Sequence, residues 1–199
     1  MSKSAAAKPY SKTEQPAQGG VETLVFIRHG EKPEPGLGML TPKGLNRSLK
    51  LPAFFAANFP PPDYIFAPNP SVTLTEIHGD GHRYDCVRPL LTIGPTAVQL
   101  GMPVNTQLPC NDPGLLADTL LQPQYHNATI YLAWEHIDLV EFAKVLLKRF
   151  GNTDKVPEWD NSDFDTVFVF TIDWGEPPRL TFEVRSQDLG PIAEAWPQV

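Results

Sequence analysis

The sequence predicts a three-layer α/β sandwich, a mostly parallel sheet with helices on both faces and antiparallel edge strands. Short, continuously apolar runs at 22–27, 64–67 and 129–133 read as strands buried on both faces. Helix-like segments alternate with these runs through residue 150, and that alternation builds parallel sheets. Two later runs, 166–172 and 180–185, flank a Gly/Pro turn and read as an antiparallel hairpin. A length of 199 residues suits one domain, large enough to bury a core without staples. The expected organisation is a disordered leader over 1–20 and a single domain over 21–199.

Each element has its own signal. Residues 1–20 are polar and lack the apolar core of a signal peptide. Residues 31–41 are rich in Pro and Gly, so the first strand is expected to empty into an irregular segment. Thr41-Pro42 predicts a helix start, with Thr41 as N-cap and Pro42 at the first helical position. Leu45, Leu49 and Leu51 give that helix an apolar side. Pro52 is expected to interrupt it, with 53–58 continuing as a further turn or two. Residues 68–83 read as a long polar loop. Residues 89–100 are helical at their ends, but Gly94-Pro95 predicts a kink or two short helices. Residues 102–108 read as an edge strand. Asp112, followed by Pro113, caps a helix over 112–121. The clearest amphipathic helix spans 138–150, with Leu139, Phe142, Ala143, Leu146 and Phe150 on one face. Lys148 and Arg149 suit its C-terminal dipole end, and Gly151 ends it.

Composition narrows the function classes. The net charge of −7 makes nucleic acid and anionic membranes poor partners, although one positive pocket could still take an anion. No apolar run is long enough to span a bilayer. Cys86 and Cys110 read as free thiols in a reducing compartment, and a cytoplasmic location is expected.

The polar groups that matter sit at strand ends. The first strand delivers Arg28 and His29, followed by Gly30 and Glu31; the third delivers Glu135 and His136. Ligands of open α/β sheets bind at the carboxyl ends of strands, so His29 and His136 meet if the two strands are neighbours. Arg88, opening the helix at 89–100, is the third member if it folds back over the same edge. This set suits a phosphoryl group. Guanidinium forks bind its oxygens, a neutral imidazole attacks phosphorus, and a second imidazole stabilises the charge that develops. A carboxylic acid then protonates the leaving oxygen.

The segment LVFIRHGEKPEPGLGMLTPKGLNRSLKL resembles the opening of the histidine phosphatase superfamily, the phosphoglycerate-mutase-like fold. The motif Arg28-His29-Gly30-Glu31 and the later pattern Leu40, Thr41, Gly44, Arg47 both match. Arg88-Pro89-Leu90-Leu91-Thr92 is similar to the second arginine motif, and Ala133-Trp134-Glu135-His136 to the strand end with the second catalytic histidine. The resemblance covers residues 22–150. It implies that His29 is the nucleophile of phosphomonoester hydrolysis through a phosphohistidine, with Arg28, Arg88 and His136 lining the phosphate pocket. It implies no metal or organic cofactor, and a phosphorylated small molecule or phosphoprotein as partner to a monomer or dimer. Phosphatase is favoured over mutase, because mutase-type members carry longer substrate-gripping insertions. Two departures stand out. About twenty residues separate Ala67 from Arg88, so a loop is inserted there. The usual acidic proton donor has no clean counterpart; Glu135 is the first choice, with Asp112 and Asp118 as alternatives.

Other readings stand beside this one. Glu31 either reaches the pocket or caps local backbone amides, and Arg47 either reaches the pocket or is a helix-surface charge. His78, Asp80 and His82 have alternate spacing that invites a metal-dependent hydrolase, but their glycines favour a surface or rim loop. A non-catalytic phosphate-binding relative is a further alternative. Trp134, Trp159 and Trp174 read as packing or rim aromatics.

Overall fold

A computed structural model describes residues 19–197 of the chain. The leader read over 1–20 therefore lies outside the described residues, except for Gly19 and Gly20. Seven strands and four α-helices follow: β1 (Val21–Arg28), α1 (Pro42–Asn58), β2 (Tyr64–Phe66), β3 (Thr73–Thr75), β4 (Arg83–Asp85), α2 (Arg88–Leu100), α3 (Pro113–Leu120), β5 (Thr129–Trp134), α4 (His136–Arg149), β6 (Thr166–Asp173) and β7 (Arg179–Ser186). The main sheet has the order β2-β5-β1-β6-β7. β2, β5 and β1 are parallel, β6 is antiparallel to β1, and β7 is antiparallel to β6. The C-terminal hairpin thus adds to one side of the sheet, with β7 as its outer edge.

Alternation along the strands builds two cores. Leu24, Phe26, Ile130, Leu132, Phe168 and Phe170 face α3 and α4, where Leu116, Leu120, Leu139, Phe142 and Leu146 meet them. Val25, Ile27, Tyr131, Ala133, Val167 and Val169 face α1 and α2, where Leu51, Phe54, Phe55, Ile93 and Ala97 meet them. A parallel sheet covered on both faces needs apolar residues at consecutive strand positions, which is why 24–27 and 130–133 are continuously apolar. Phe55 stacks on Tyr131 at 4.3 Å between centroids. Cys86 and Cys110 are free and buried. No helix among the described residues is long and apolar enough to cross a membrane.

Both prolines expected to break helices lie inside continuous ones. α1 runs through Pro52, and α2 through Pro95. An internal proline costs about 3 kcal/mol of helix stability. Leu51, Phe54 and Phe55 around Pro52 are all buried, and each such side chain contributes roughly 1.5–3 kcal/mol on burial. Tertiary packing therefore outweighs the local break. The caps follow expectation: Thr41 accepts from Gly44 N, and Asp112 from Leu115 N. Residues 68–83 are not merely a loop, since they hold β3 and the start of β4, a two-stranded antiparallel hairpin. The strand expected over 102–108 is reduced to one bridge, Phe66 with Asn105.

One buried group sits at the other end of β1 from its C-terminal histidine. Glu22 is fully buried, with Oε2 accepting from Trp174 Nε1 at 2.9 Å and Oε1 without a partner. Burial lifts its carboxyl from 4.5 to about 8, against the pull of the Trp174 hydrogen bond. The folded state then keeps a proton that the unfolded chain releases, so stability falls as pH rises from about 4.5 toward 8. Glu22→Gln should raise the thermal midpoint at pH 8 and flatten its pH dependence, by an amount on the order of a few kcal/mol. Thermal unfolding of both proteins across this range checks it; parallel pH slopes would refute the assignment.

Candidate active site

The register of β1 against β5 assembles the site. Ile27 pairs with Ala133 and Arg28 with Trp134, and His29 N donates to Trp134 O at 3.0 Å. The next residues on the two strands, His29 and Glu135, therefore emerge side by side. α4 starts at His136 and α2 at Arg88, so two helix N-termini, the positive ends of their dipoles, open here. Gly30 sits close against the start of α1. A Cβ there would lie 2.8 Å from Gly44 O, and one on Gly44 would run into the backbone of Glu31. Gly30 N donates to Thr92 Oγ1 at 2.9 Å, which ties the segment after His29 to α2.

The two histidines flank one carboxylate. His29 Nδ1 lies 2.7 Å from Gly30 O. That oxygen can only accept, so Nδ1 carries a proton and Nε2 is the nitrogen that faces Glu135. Nε2 lies 2.7 Å from Glu135 Oε2, a contact that needs one shared proton. Glu135 Oε1 lies 2.5 Å from His136 Nδ1, whose hydrogen-bond geometry is poor, and His136 Nε2 faces Asn161 Oδ1 at 2.8 Å. Arg88 Nη2 stands 3.8 Å from Glu135 Oε2. Burial would lift the Glu135 carboxyl, but the imidazoles of His29 and His136 outweigh it and hold it well below the usual carboxylate range. Burial pushes the His29 imidazole down, against the pull of Glu135. The proton of the pair therefore sits on His29 Nε2 and Glu135 carries the negative charge, although burial weakens the ring's hold on it.

The arginines are held differently. Arg88 Nη1 is paired with Glu76 Oε1, and Lys32 Nζ lies 2.5 Å from Glu76 Oε2. Glu76 comes from the turn after β3. Burial works against its charge, but Lys32 and Arg88 prevail and hold it below the usual range. Arg28 is 1% exposed and reaches behind the site. Its Nη1 donates to the carbonyls of Asp160, Asn161 and Asp163 at 2.8–3.1 Å, and its guanidinium lies 4.0 Å over the Phe164 ring. Its Nε is buried without a partner. A cleft of about 150 Å³ lies beside Glu135, walled by Lys32, Glu76, Arg88, Asn111 and Asp138 with Leu74, Ile77 and Ile137.

His29, His136, Glu135 and Arg88 are therefore together, with Arg28 packed behind. Of the three carboxyls named as acid, Glu135 alone is here: Asp112 caps α3, and Asp118 pairs with Arg149 at 2.6 Å. Glu31 and Arg47 bind each other, with Arg47 Nη2 2.9 Å from Glu31 Oε1 and Nη1 2.9 Å from Gln187 Oε1. Both are buried, and neither lines the cleft. His78, Asp80 and His82 do not converge. Asp80 instead accepts from His82 N and from Tyr84 OH, and no metal-ligating cluster of three occurs among the described residues. Trp134 and Trp159 are buried in the core, and Trp174 covers Glu22. Sequence reasoning gave Glu76, Asn161 and Asp138 no place in the site, and named Thr92 only as part of the second arginine motif. Thr92 lies one turn beyond Arg88, where its hydroxyl donates back to Arg88 O, and Asp138 lies two residues past His136. Their spacing carried a signal. Glu76 and Asn161 come from irregular segments that carried none.

No protein-family model matches the sequence, and no curated protein matches it. Solved structures do. One is a complex of mycobacterial glucosyl-3-phosphoglycerate phosphatase with inorganic phosphate, at 14% identity and TM-score 0.54, covering 83% of this chain and 98% of that one. Another is mycobacterial hydrolase 2, at 13% identity and TM-score 0.53, covering 83% and 91%. A third is a mutant phosphoserine phosphatase from Entamoeba histolytica with phosphoserine, at 15% identity and TM-score 0.50, covering 84% and 98%. The likeness is one of fold.

The buried pair beside the site sets a stability test. Removing one partner of a buried ion pair strands the other and costs about 3–5 kcal/mol, whereas replacing both is far milder. Arg47→Ala should lose at least about 3 kcal/mol in urea unfolding, and Glu31→Gln with Arg47→Met should recover most of it. A loss under about 1 kcal/mol for Arg47→Ala would mean that the pair is solvated.

Proposed function

We propose that the chain hydrolyses phosphomonoesters through a phosphohistidine on His29. One observation carries the reading: His29 Nε2, His136 Nδ1 and Arg88 Nη2 surround a single carboxylate, that of Glu135. A phosphoryl dianion needs the same partners, so Glu135 marks the place of the anion. The phosphatases among structures of similar fold support the same chemistry.

The steps follow from the contacts. The ester enters and replaces the Glu135 carboxylate among the imidazoles and Arg88. Glu135 withdraws and takes the Nε2 proton as it leaves the imidazoles that held it ionised, and burial favours the neutral His29 ring that remains. Nε2 is then free to attack. Nδ1, fixed on Gly30 O, keeps its proton and aims the ring. The Nε2–P bond forms as the ester P–O bond breaks, with His136 and Arg88 on the phosphoryl oxygens. Arg28 adds positive charge from behind and, through the 160–163 carbonyls, fixes the segment whose Asn161 orients His136. Water then attacks phosphorus, the N–P bond breaks, and inorganic phosphate leaves. The substrate is a phosphorylated small molecule or phosphoprotein.

His29→Ala should abolish turnover of an aryl phosphate, and a stopped reaction with wild-type protein should trap acid-labile label on His29. Retained turnover in the variant would refute the mechanism, and phosphate binding without turnover in the wild type would make the chain a binding protein. Arg28→Ala should weaken inhibition by inorganic phosphate at least about tenfold, whereas the surface change Arg149→Ala should not. Equal effects would mean that Arg28 adds nothing to phosphate binding from behind the site.

A further inference from the structure

We infer that Asp138 is the acid that protonates the leaving oxygen. The inference goes beyond the reading above and rests on it. An in-line displacement places the leaving oxygen across phosphorus from Nε2. Glu135 stands on the side of the attack, hydrogen-bonded to Nε2 and wedged between two imidazoles that keep it ionised. It is suited to take a proton from His29 and poorly suited to deliver one to the far side. Asp138 lies in the first turn of α4 and walls the same cleft as Arg88 and Glu135. Its carboxyl has no hydrogen bond or ion pair among the described residues, so it is committed to nothing else. Leu74 and Ile137 line that cleft with it.

Its surroundings favour the protonated form. Burial, and next the charge of Glu135, lift the Asp138 carboxyl from 3.8 to about 7, against the pull of His136. Glu141 on its own helix adds to the rise. Lys32, Glu76, His78 and Arg88 face it across the cleft, and Cys110 adjoins it. Two neighbouring carboxyls with opposite protonation are the arrangement expected of a base and an acid.

The steps balance. In the first, the Nε2–P bond forms, the ester P–O bond breaks, and the Asp138 proton moves to the departing oxygen to give the free alcohol. In the second, water attacks phosphorus, its proton passes to the Asp138 carboxylate, and the N–P bond breaks. Asp138 ends as it began, and Glu135 returns its proton to the pair with His29.

The test is a series of phosphate esters whose leaving groups run from p-nitrophenol to simple alkanols. A poor leaving group depends on the acid and a good one does not. Asp138→Asn should lower kcat/KM for an alkyl phosphate about 100-fold, with at least tenfold less loss on p-nitrophenyl phosphate. The slope of log kcat/KM against leaving-group pKa should steepen. The acid must be protonated, so wild-type activity on alkyl phosphates should fall above about pH 7, and that limb should vanish in Asp138→Asn. Asp138→Glu should restore part of the alkyl rate. Equal losses on all esters, or no loss on the alkyl ester, would overturn the role. A selective loss in Glu135→Gln instead would give it to Glu135. Retained turnover in His29→Ala would sink the phosphohistidine reading itself, a separate outcome.

Discussion

The parallel pairing of β1 with β5 is the constraint on which the rest depends. Strand register is quantised, and a slip of one residue turns every side chain to the other face. Here both faces of the sheet are packed, so a slip would damage two cores at once. The register that buries Phe26 and Leu132 toward one layer and Ile27 and Ala133 toward the other also sets His29 beside Glu135. The geometry of the site is thus a by-product of core packing, held by a far larger apolar free energy than the polar groups could supply themselves.

The site that results is crowded with opposite charge. Glu135 occupies the two imidazoles, and Glu76 occupies Arg88 and Lys32. Buried cations and imidazoles are costly without partners, and the chain supplies those partners itself. Two carboxylates must give way before a phosphoryl group gains the same contacts. They come from different parts of the fold, Glu135 from the end of β5 and Glu76 from the turn between β3 and β4. On the proposed reading, phosphoryl binding and the placement of the β3–β4 hairpin are linked through Arg88.

Much of this was legible in the sequence. Continuous apolar runs found the three parallel strands, because burial on both faces leaves no room for polar alternation. The pairs Arg28-His29 and Glu135-His136 were visible because they directly follow those runs. Arg88 was visible because it opens a helix. Pro52 and Pro95 misled, since a local rule about helix breaking was outweighed by the apolar neighbours that hold α1 and α2 on the sheet. The β3–β4 hairpin was missed because its three-residue strands are half exposed and carry no run to detect. Its Glu76 was hidden with it. Asn161 reaches His136 from 25 residues away through an irregular segment, and no periodicity points there.

The close approach of Gly30 to Gly44 has a practical consequence. The usual search for important residues trims side chains to alanine and watches for loss. At these two positions alanine adds an atom, and the nearest atoms it would meet are backbone, which cannot turn aside as a side chain would. The segment after His29 is kept in place by an absence of bulk. A survey by truncation would pass over the contact that seats the segment after His29, and a survey by enlargement would find it first.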